Sequence, residues 1–338
     1  MTKEHRSPND QAASAVLERV RFFVIRICFV IRHSSFVIAT LFTFSFLTSC
    51  APNQPPHVVV YASQDQVYAE PILRNFTKQT DIEVRAVYDS EAVKTVGLAN
   101  RLLAERRHPL CDVFWNNEEL RTRQLAAQGV FRETNAWRAV GYRSRRLVIN
   151  TNRLSLAAVP RSLIELTNAT WRGKVALAYP LFGTTATHFL ALRQKWGAGN
   201  WAAWCRALQA NQPFVVNGNS VVVQFVARGE AWVGLTDSDD IAAGQREGLP
   251  ITALPPDDNT LLIPNTIAVV RSAPHVEAAE KLFQYLQTAE VLEKLVAAHA
   301  LESSLTPSAT PATLSVDWDS LLRDLEPATE TLKGIFLR

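Results

Sequence analysis

The sequence predicts an α/β chain folded as two lobes. Strand-like and helix-like segments alternate from residue 57 to 128 and again from 174 to 256, the order that builds mostly parallel sheets covered by helices. The 338 residues, 47% hydrophobic and 20% charged, are enough for two separate cores. Two extended segments, near 145–150 and 262–268, are placed to cross from one alternation to the other.

"VVVYAS" (58–63) is rich in β-branched residues and reads as a buried strand. Val67, Ile72, Leu73 and Phe76 follow at helical spacing, with Pro71 near the helix start, where a missing N–H matters least. "DIEVRAVYD" alternates as a second strand, residues 91–106 form a helix, and "CDVFWNN" is a third strand running into a helix over 118–128. "RRLVINT" is a strand able to leave this lobe. "KVALAYP" then leads through "LFGTTATH" to helices near 185–196 and 199–210. Strand "PFVVNG", helix 219–228, strand "AWVGLTD", helix 239–247 and strand "ITALPP" follow. "IPNTIAVV" is a strand able to return. Helices at 275–288 and 289–300, a Pro/Thr/Ser-rich loop at 303–314 and a terminal helix over 316–333 complete the chain.

The net charge of +3 is local. Of 35 basic and 32 acidic residues, the first fifty positions hold six and three, leaving 29 of each sign in the body. A neutral body argues against nucleic-acid binding, which needs a basic face. Residues 36–47, "FVIATLFTFSFL", form an uncharged run of 12, the length of a signal-peptide core and short for a spanning helix. "LTSC" follows at once and ends at Cys50. Small residues before a Cys directly after an apolar run resemble the bacterial lipobox, in which that Cys is lipidated. The expectation is a signal peptide over 1–50, a tether over 51–56, and a protein of the cell envelope anchored by lipid in the periplasm. The alternative is an uncleaved membrane anchor with an incidental Cys. Cys111 and Cys205 have no metal-ligand spacing and read as small buried hydrophobes.

Ligands of open α/β sheets bind outside the carboxyl ends of the strands. Four polar loops fall there: "SQDQ" (63–66), "NNEE" (116–119), "FGTT" (182–185) and "TDSDD" (236–240). The last is the most demanding, because clustered carboxylates repel and resist ionising together. Solvent, a helix N-terminus, a cation or another ligand must compensate them. Gly183, Thr184 and Thr185 precede a helix, where free N–H groups and hydroxyls make an anion site. Arg143 and Arg145 in "YRSRR" read either as bidentate anion contacts or as a solvated strand edge.

"VVVYASQDQ", "DIEVRAVYDSEAVKTVGLANRLLAE", "CDVFWNNEELRTRQLAAQGV", "SRRLVINTNRL" and "NSVVVQFVARGEAWVGLTDSDD" together resemble the ferric-iron-type periplasmic binding proteins of ABC importers. The resemblance covers about residues 57–300. It implies the two-lobed type II periplasmic-binding-protein fold with two hinge crossovers. Lobe 1 would comprise 57–146 and 264–300, and lobe 2 147–263 and 301–338. It also implies delivery of a ligand, Fe(III) or a similar hard cation with a synergistic anion, to a membrane permease driven by a separate ATPase. The chain itself would be a monomer without enzymatic activity or cofactor. No Walker A, GxSxG, HExxH or SxxK motif is present.

Best-known members hold Fe(III) with a His, an acid and a Tyr pair. The matching positions here are Asp65 for the His, Asn117 with Glu118 beside it for the acid, and Asp239 and Asp240 for the tyrosines. The resemblance therefore implies an oxygen-rich metal set of Asp65, Glu118, Asp239 and Asp240, with Asp237 adjacent; hard cations accept such ligands. Relatives place the anion at the Gly183–Thr185 loop, and Asn219 joins the ligand set. His188 reads either as a further ligand or as a packed core histidine. Asp239 and Asp240 read alternatively as first-turn acids with Ser238 as N-cap, and Asn117 as a turn residue. Trp201 and Trp204 read as core, and Trp115 as core or as a stacking surface. A small organic anion such as a phosphonate on the same fold is the alternative ligand, and an envelope enzyme the third possibility.

Overall fold

The computed structural model describes residues 55–88, 94–304 and 313–337. The apolar run at 36–47 and Cys50 lie outside the described residues. Among the described residues no helix is long and apolar enough to cross a membrane.

The first sheet is built around β1 (His57–Ala62), parallel to β2 (Glu83–Tyr88) on one side and β3 (Val113–Asn116) on the other. Helices α1 (Gln66–Thr80), α2 (Lys94–Glu105) and α3 (Glu119–Ala127) follow these strands in turn. The β-branched run of β1 has Val58 and Val60 fully buried. α1 buries Tyr68, Ala69, Ile72, Leu73 and Phe76, the single stripe that a 3.6-residue period produces. Trp115 is buried in the core of this sheet, which makes it packing and not a stacking surface.

The second sheet centres on β5 (Val175–Ala178), parallel to β6 (Phe214–Val216) and β7 (Val233–Asp237). Its helices are α4 (Gly183–Trp196), α5 (Ala198–Ala210), α6 (Asn219–Ala227) and α7 (Ser238–Arg246). The chain then forms β8 (Ile251–Ala253) and returns to the first sheet as β9 (Leu262–Val269), followed by α8 (Val276–Tyr285) and α9 (Ala289–Ala297). The last helix, α10 (Trp318–Phe336), lays Leu321, Leu325, Ala328, Leu332 and Phe336 on the cluster that holds Phe189, Trp201 and Trp204. Cys111 and Cys205 are both buried and free.

One strand joins the two sheets. β4 (Trp137–Asn150) pairs antiparallel with β9 through Trp137–Ser144, then with β7 through Arg145–Ile149 and with β8 through Val148–Asn150. The sequence pattern marks only the second half of β4. Its first half is interrupted by Gly141, which has φ +74° and sits at a register shift between Ala139 and Tyr142. Only glycine fits this bulge. A Cβ there would lie 2.5 Å from the Ser303 carbonyl and 2.7 Å from the Leu301 side chain, in a backbone region that glycine alone visits freely. The antiparallel pairs around β4 and β9 also make the sheet mixed, where the alternation predicts parallel strands.

His188 resolves in favour of packing. It is 1% exposed on α4, and its Nε2 lies 2.7 Å from the Asn259 carbonyl, so the neutral ring donates there. Burial, then the nearby Arg145 charge, lowers its pKa from 6.5 to about 3. Between those values the unfolded chain takes up a proton that the folded chain refuses. This group's contribution is therefore fully present above pH 6.5 and declines as pH falls towards 3, by about 1.4 kcal/mol per pH unit. Urea unfolding at pH 7 and pH 5 should show this slope, and His188→Gln should remove it. An unchanged slope in the variant would show that the ring titrates normally.

Candidate functional site

The site grows from a charge pairing set by strand register. In the antiparallel β4–β7 ladder Arg145 stands opposite Asp237. Arg143, two residues earlier, shares the same face of β4 by the period-2 rule. Arg145 Nη1 lies 2.6 Å from Asp237 Oδ1, and Arg143 Nη2 lies 3.1 Å from Oδ2. Thr184 Oγ1 donates to Oδ2 at 2.8 Å and Asn219 Nδ2 donates to it at 3.1 Å. Arg145 also donates to the Asn219 side chain and the Leu235 carbonyl. Arg143 donates to the Asn117 carbonyl and to Asn265 Oδ1, and its Nε is ion-paired with Asp239 Oδ1 at 3.2 Å.

All four charged groups are at most 4% exposed. Burial alone would push the Asp237 carboxyl up, but Arg145 and Arg143, with the Thr184 hydroxyl, hold its pKa below the ordinary value of 3.8. Burial likewise opposes the Arg143 charge, and Asp239, Asp237 and Asp65 overcome it, raising that guanidinium's pKa. Asp237 and Asp239 of "TDSDD" are thus compensated from inside the protein, by arginines that the sequence assigns to anion contacts or to a solvated edge.

A cavity of about 410 Å³ opens over this floor. Its wall is formed at the carboxyl ends of strands from both sheets. Four helices begin on it: α1 after Asp65, α4 after Phe182, α6 after Gly218 and α7 after Asp237. None of the four has a side-chain cap, and first-turn N–H groups have no partner within a helix. α7 carries Asp239 and Asp240 in its first turn, whereas α4 and α6 carry no acid there. Asp237, Asp239 and Asp240 each bring one carboxylate oxygen within 4.8 Å of the others.

The structure brings together Asp65, Asn117, Arg143, Gly183, Thr184, Thr185, Asn219, Asp237, Asp239 and Asp240 on one wall. Glu118, His188 and Arg145 are not on it. Glu118 is fully buried and caps α3, accepting from Leu120 N–H at 2.8 Å and Arg121 N–H at 3.0 Å. It also accepts from the Thr187 hydroxyl of α4 at 3.1 Å. Burial raises its pKa despite Arg121, and its oxygens serve the helix end, so the metal-ligand assignment gives way to a cap. Arg145 sits beneath the wall as a counterion. The N-cap of α7 is Asp237, not Ser238, whose hydroxyl accepts from Ser144 N–H. Tyr179, Asn217 and Gly218 are on the wall unforeseen. The rule that ligand loops follow strand carboxyl ends points to all three, since they follow β5 and β6.

Two sheets sharing one long strand, with loops from both around a single cavity, define a two-lobed binding protein of the type II periplasmic class. The chain belongs to the bacterial extracellular solute-binding proteins, whose family model matches residues 57–299. The Fe(3+)-binding periplasmic protein of Serratia marcescens is 29% identical over 196 residues, 53% of this chain. The match spans 56% of that relative's own length. Iron-bound HitA from Pseudomonas aeruginosa superposes with a TM-score of 0.73 at 18% identity, over 83% of this chain and 100% of that one. The periplasmic binding protein AfuA from Actinobacillus pleuropneumoniae, with exogenous fructose-6-phosphate bound, gives 0.69 at 17% identity, over 84% and 98%. At these identities the two structures speak for the fold alone.

Asp237→Asn keeps the shape but strips Arg145 of its carboxylate partner and leaves Arg143 with Asp239 alone, and should destabilise the protein by about 3–5 kcal/mol. Because the folded pKa of Asp237 is depressed, its contribution is present above the ordinary value of 3.8 and lost as pH falls through the lower folded value. Urea midpoints at neutral pH check the first expectation. Acid titration of wild type checks the second: Asp237 should lose its contribution only below pH 3.8. A variant as stable as wild type would mean the arginines are satisfied without the carboxylate.

Proposed function

We propose that this protein is the solute-capturing subunit of an ABC importer, working in the periplasm and held to a membrane by lipid on Cys50. Its cargo is a hard cation taken up together with an oxyanion. The observation that carries this reading is the polarity of the cavity wall. On it the oxygens of Asp237, Asp239 and Asp240 converge, the donor type that hard cations take. Beside them, joined to Asp237 through Thr184 and Asn219, α4 and α6 present N-termini without acids, the environment that takes anions. Both oxygens of Asp237 are held by partners in the floor, so Asp239, Asp240 and Asp65 are the carboxylates proposed to face the cation, with the phenol of Tyr179 on the same wall. Ferric ion is the cation supported by the description of the Serratia protein and by iron-bound HitA. The chain binds and delivers, and a permease and an ATPase carry out transport.

A second reading, a phosphorylated organic anion bound without metal, is favoured by Arg143 on the wall and by the fructose-6-phosphate in AfuA. Metal analysis and mass spectrometry of protein purified without added ligand, followed by calorimetric titration with ferric ion and phosphate and with fructose-6-phosphate, separate the two. Iron that co-purifies, or ferric binding that requires phosphate, supports the first. Saturable sugar-phosphate binding to metal-free protein supports the second.

Asp240 is half-buried and on the wall. Asp240→Asn should weaken ferric binding by about 1.5–3 kcal/mol, the scale of hydrogen bonds to charged groups, and leave binding of phosphate alone unchanged. Equal weakening of both would place Asp240 in the support of the fold and not at the cation. Cys50→Ala should give a protein that no longer partitions with membranes as a processed, lipid-bearing form. A processed variant that stays membrane-bound would refute the anchor.

A further inference from the structure

The described residues leave seven large hydrophobic side chains exposed, and two of them, Phe182 at 36% and Leu337 at 57%, lie on the wall of the same cavity. They flank two helices that pack on each other. Phe182 is the residue before α4, and Leu337 the residue after α10. Their placement is held from below. Phe336, next to Leu337, packs edge-on against Phe189 of α4, with ring centroids 6.1 Å apart, two helical turns from Phe182. Buried Leu181 continues the apolar surface inwards. A helix end fixed by its own core contacts, with a leucine on the wall of the cavity, is more than a stray exposed side chain.

The size of the cavity points the same way. At about 410 Å³ it equals about a dozen water volumes, far more than a metal ion and an inorganic oxyanion fill, and it falls in the range of pockets for small organic molecules. We infer that Phe182 and Leu337 form an apolar shelf that selects an organic oxyanion. Its acid group would sit at the N-termini of α4 and α6, and its hydrocarbon or aromatic group would cover the shelf. This rests on the oxyanion part of the function proposed above and narrows the anion's class to organic acids bearing an apolar substituent.

The test compares methylphosphonate with phenylphosphonate, two anions of one acid group and different apolar area, by calorimetry with and without ferric ion. Phenylphosphonate should bind at least about tenfold more tightly to the wild type, the effect of covering a phenyl face. Leu337→Ser should reduce that ratio several-fold and Leu337→Met should keep it. A ratio of affinities is insensitive to the fraction of variant that folds. Equal binding of the two phosphonates, or a ratio unchanged in Leu337→Ser, overturns the shelf and leaves the oxyanion part standing. Failure of both phosphonates and of inorganic phosphate to bind removes the oxyanion part and this inference with it.

Discussion

The opposition of Arg145 and Asp237 across the β4–β7 ladder is the interaction on which the site depends. A carboxylate in so dry a position is tolerable only if it is paired and its lone pairs are filled, and here two guanidiniums, a hydroxyl and an amide meet that demand. The hydroxyl belongs to the first turn of α4 and the amide to the first residue of α6. Satisfying one buried charge therefore fixes where two helices begin. The cavity wall above inherits its shape from the charge balance below.

The same logic explains how acids are distributed over the helix ends. α7 begins at the carboxylate side of the floor and its first turn holds Asp239 and Asp240, which suits the positive end of a helix dipole. α4 and α6 begin where the floor has already consumed Asp237, and no acid follows in either first turn. Their first-turn N–H groups have no partner within the helix. One wall thus carries both signs of polarity over a floor in which Arg143, Arg145, Asp237 and Asp239 are ion-paired.

Much of this was legible in the sequence, and the failures have physical causes. Strand–helix alternation located the neighbourhoods of all ten α-helices of the described residues and the polar loops at strand ends, because periodicity is a local signal. Asp65, Asn117, Thr184, Asn219 and the aspartates of "TDSDD" do share a cavity. The arginines were visible but their job was not: a partner 92 residues away in the chain is chosen by strand register, which no local pattern encodes. Glu118 and His188 failed for a related reason. A polar residue near a helix start looks the same whether it serves a ligand, a cap or a buried carbonyl, and only packing against Leu120, Thr187 or Asn259 decides. The first half of β4 was hidden by Gly141, whose bulge breaks the alternation that announces a strand.

Arg143 has a mechanical meaning as well as an electrical one. It stands on β4 one residue before pairing passes from β9 to β7, and its guanidinium grips Asn117 and Asn265 on one side and Asp237 and Asp239 on the other. Any rotation of one sheet against the other about β4 has its axis close to this group. Displacement grows with distance from an axis, so in such a rotation the ionic floor would travel less than the parts of the wall farther from β4. In a swing of that kind the salt bridge would be the pivot, and the deepest contacts would be the ones it disturbs least.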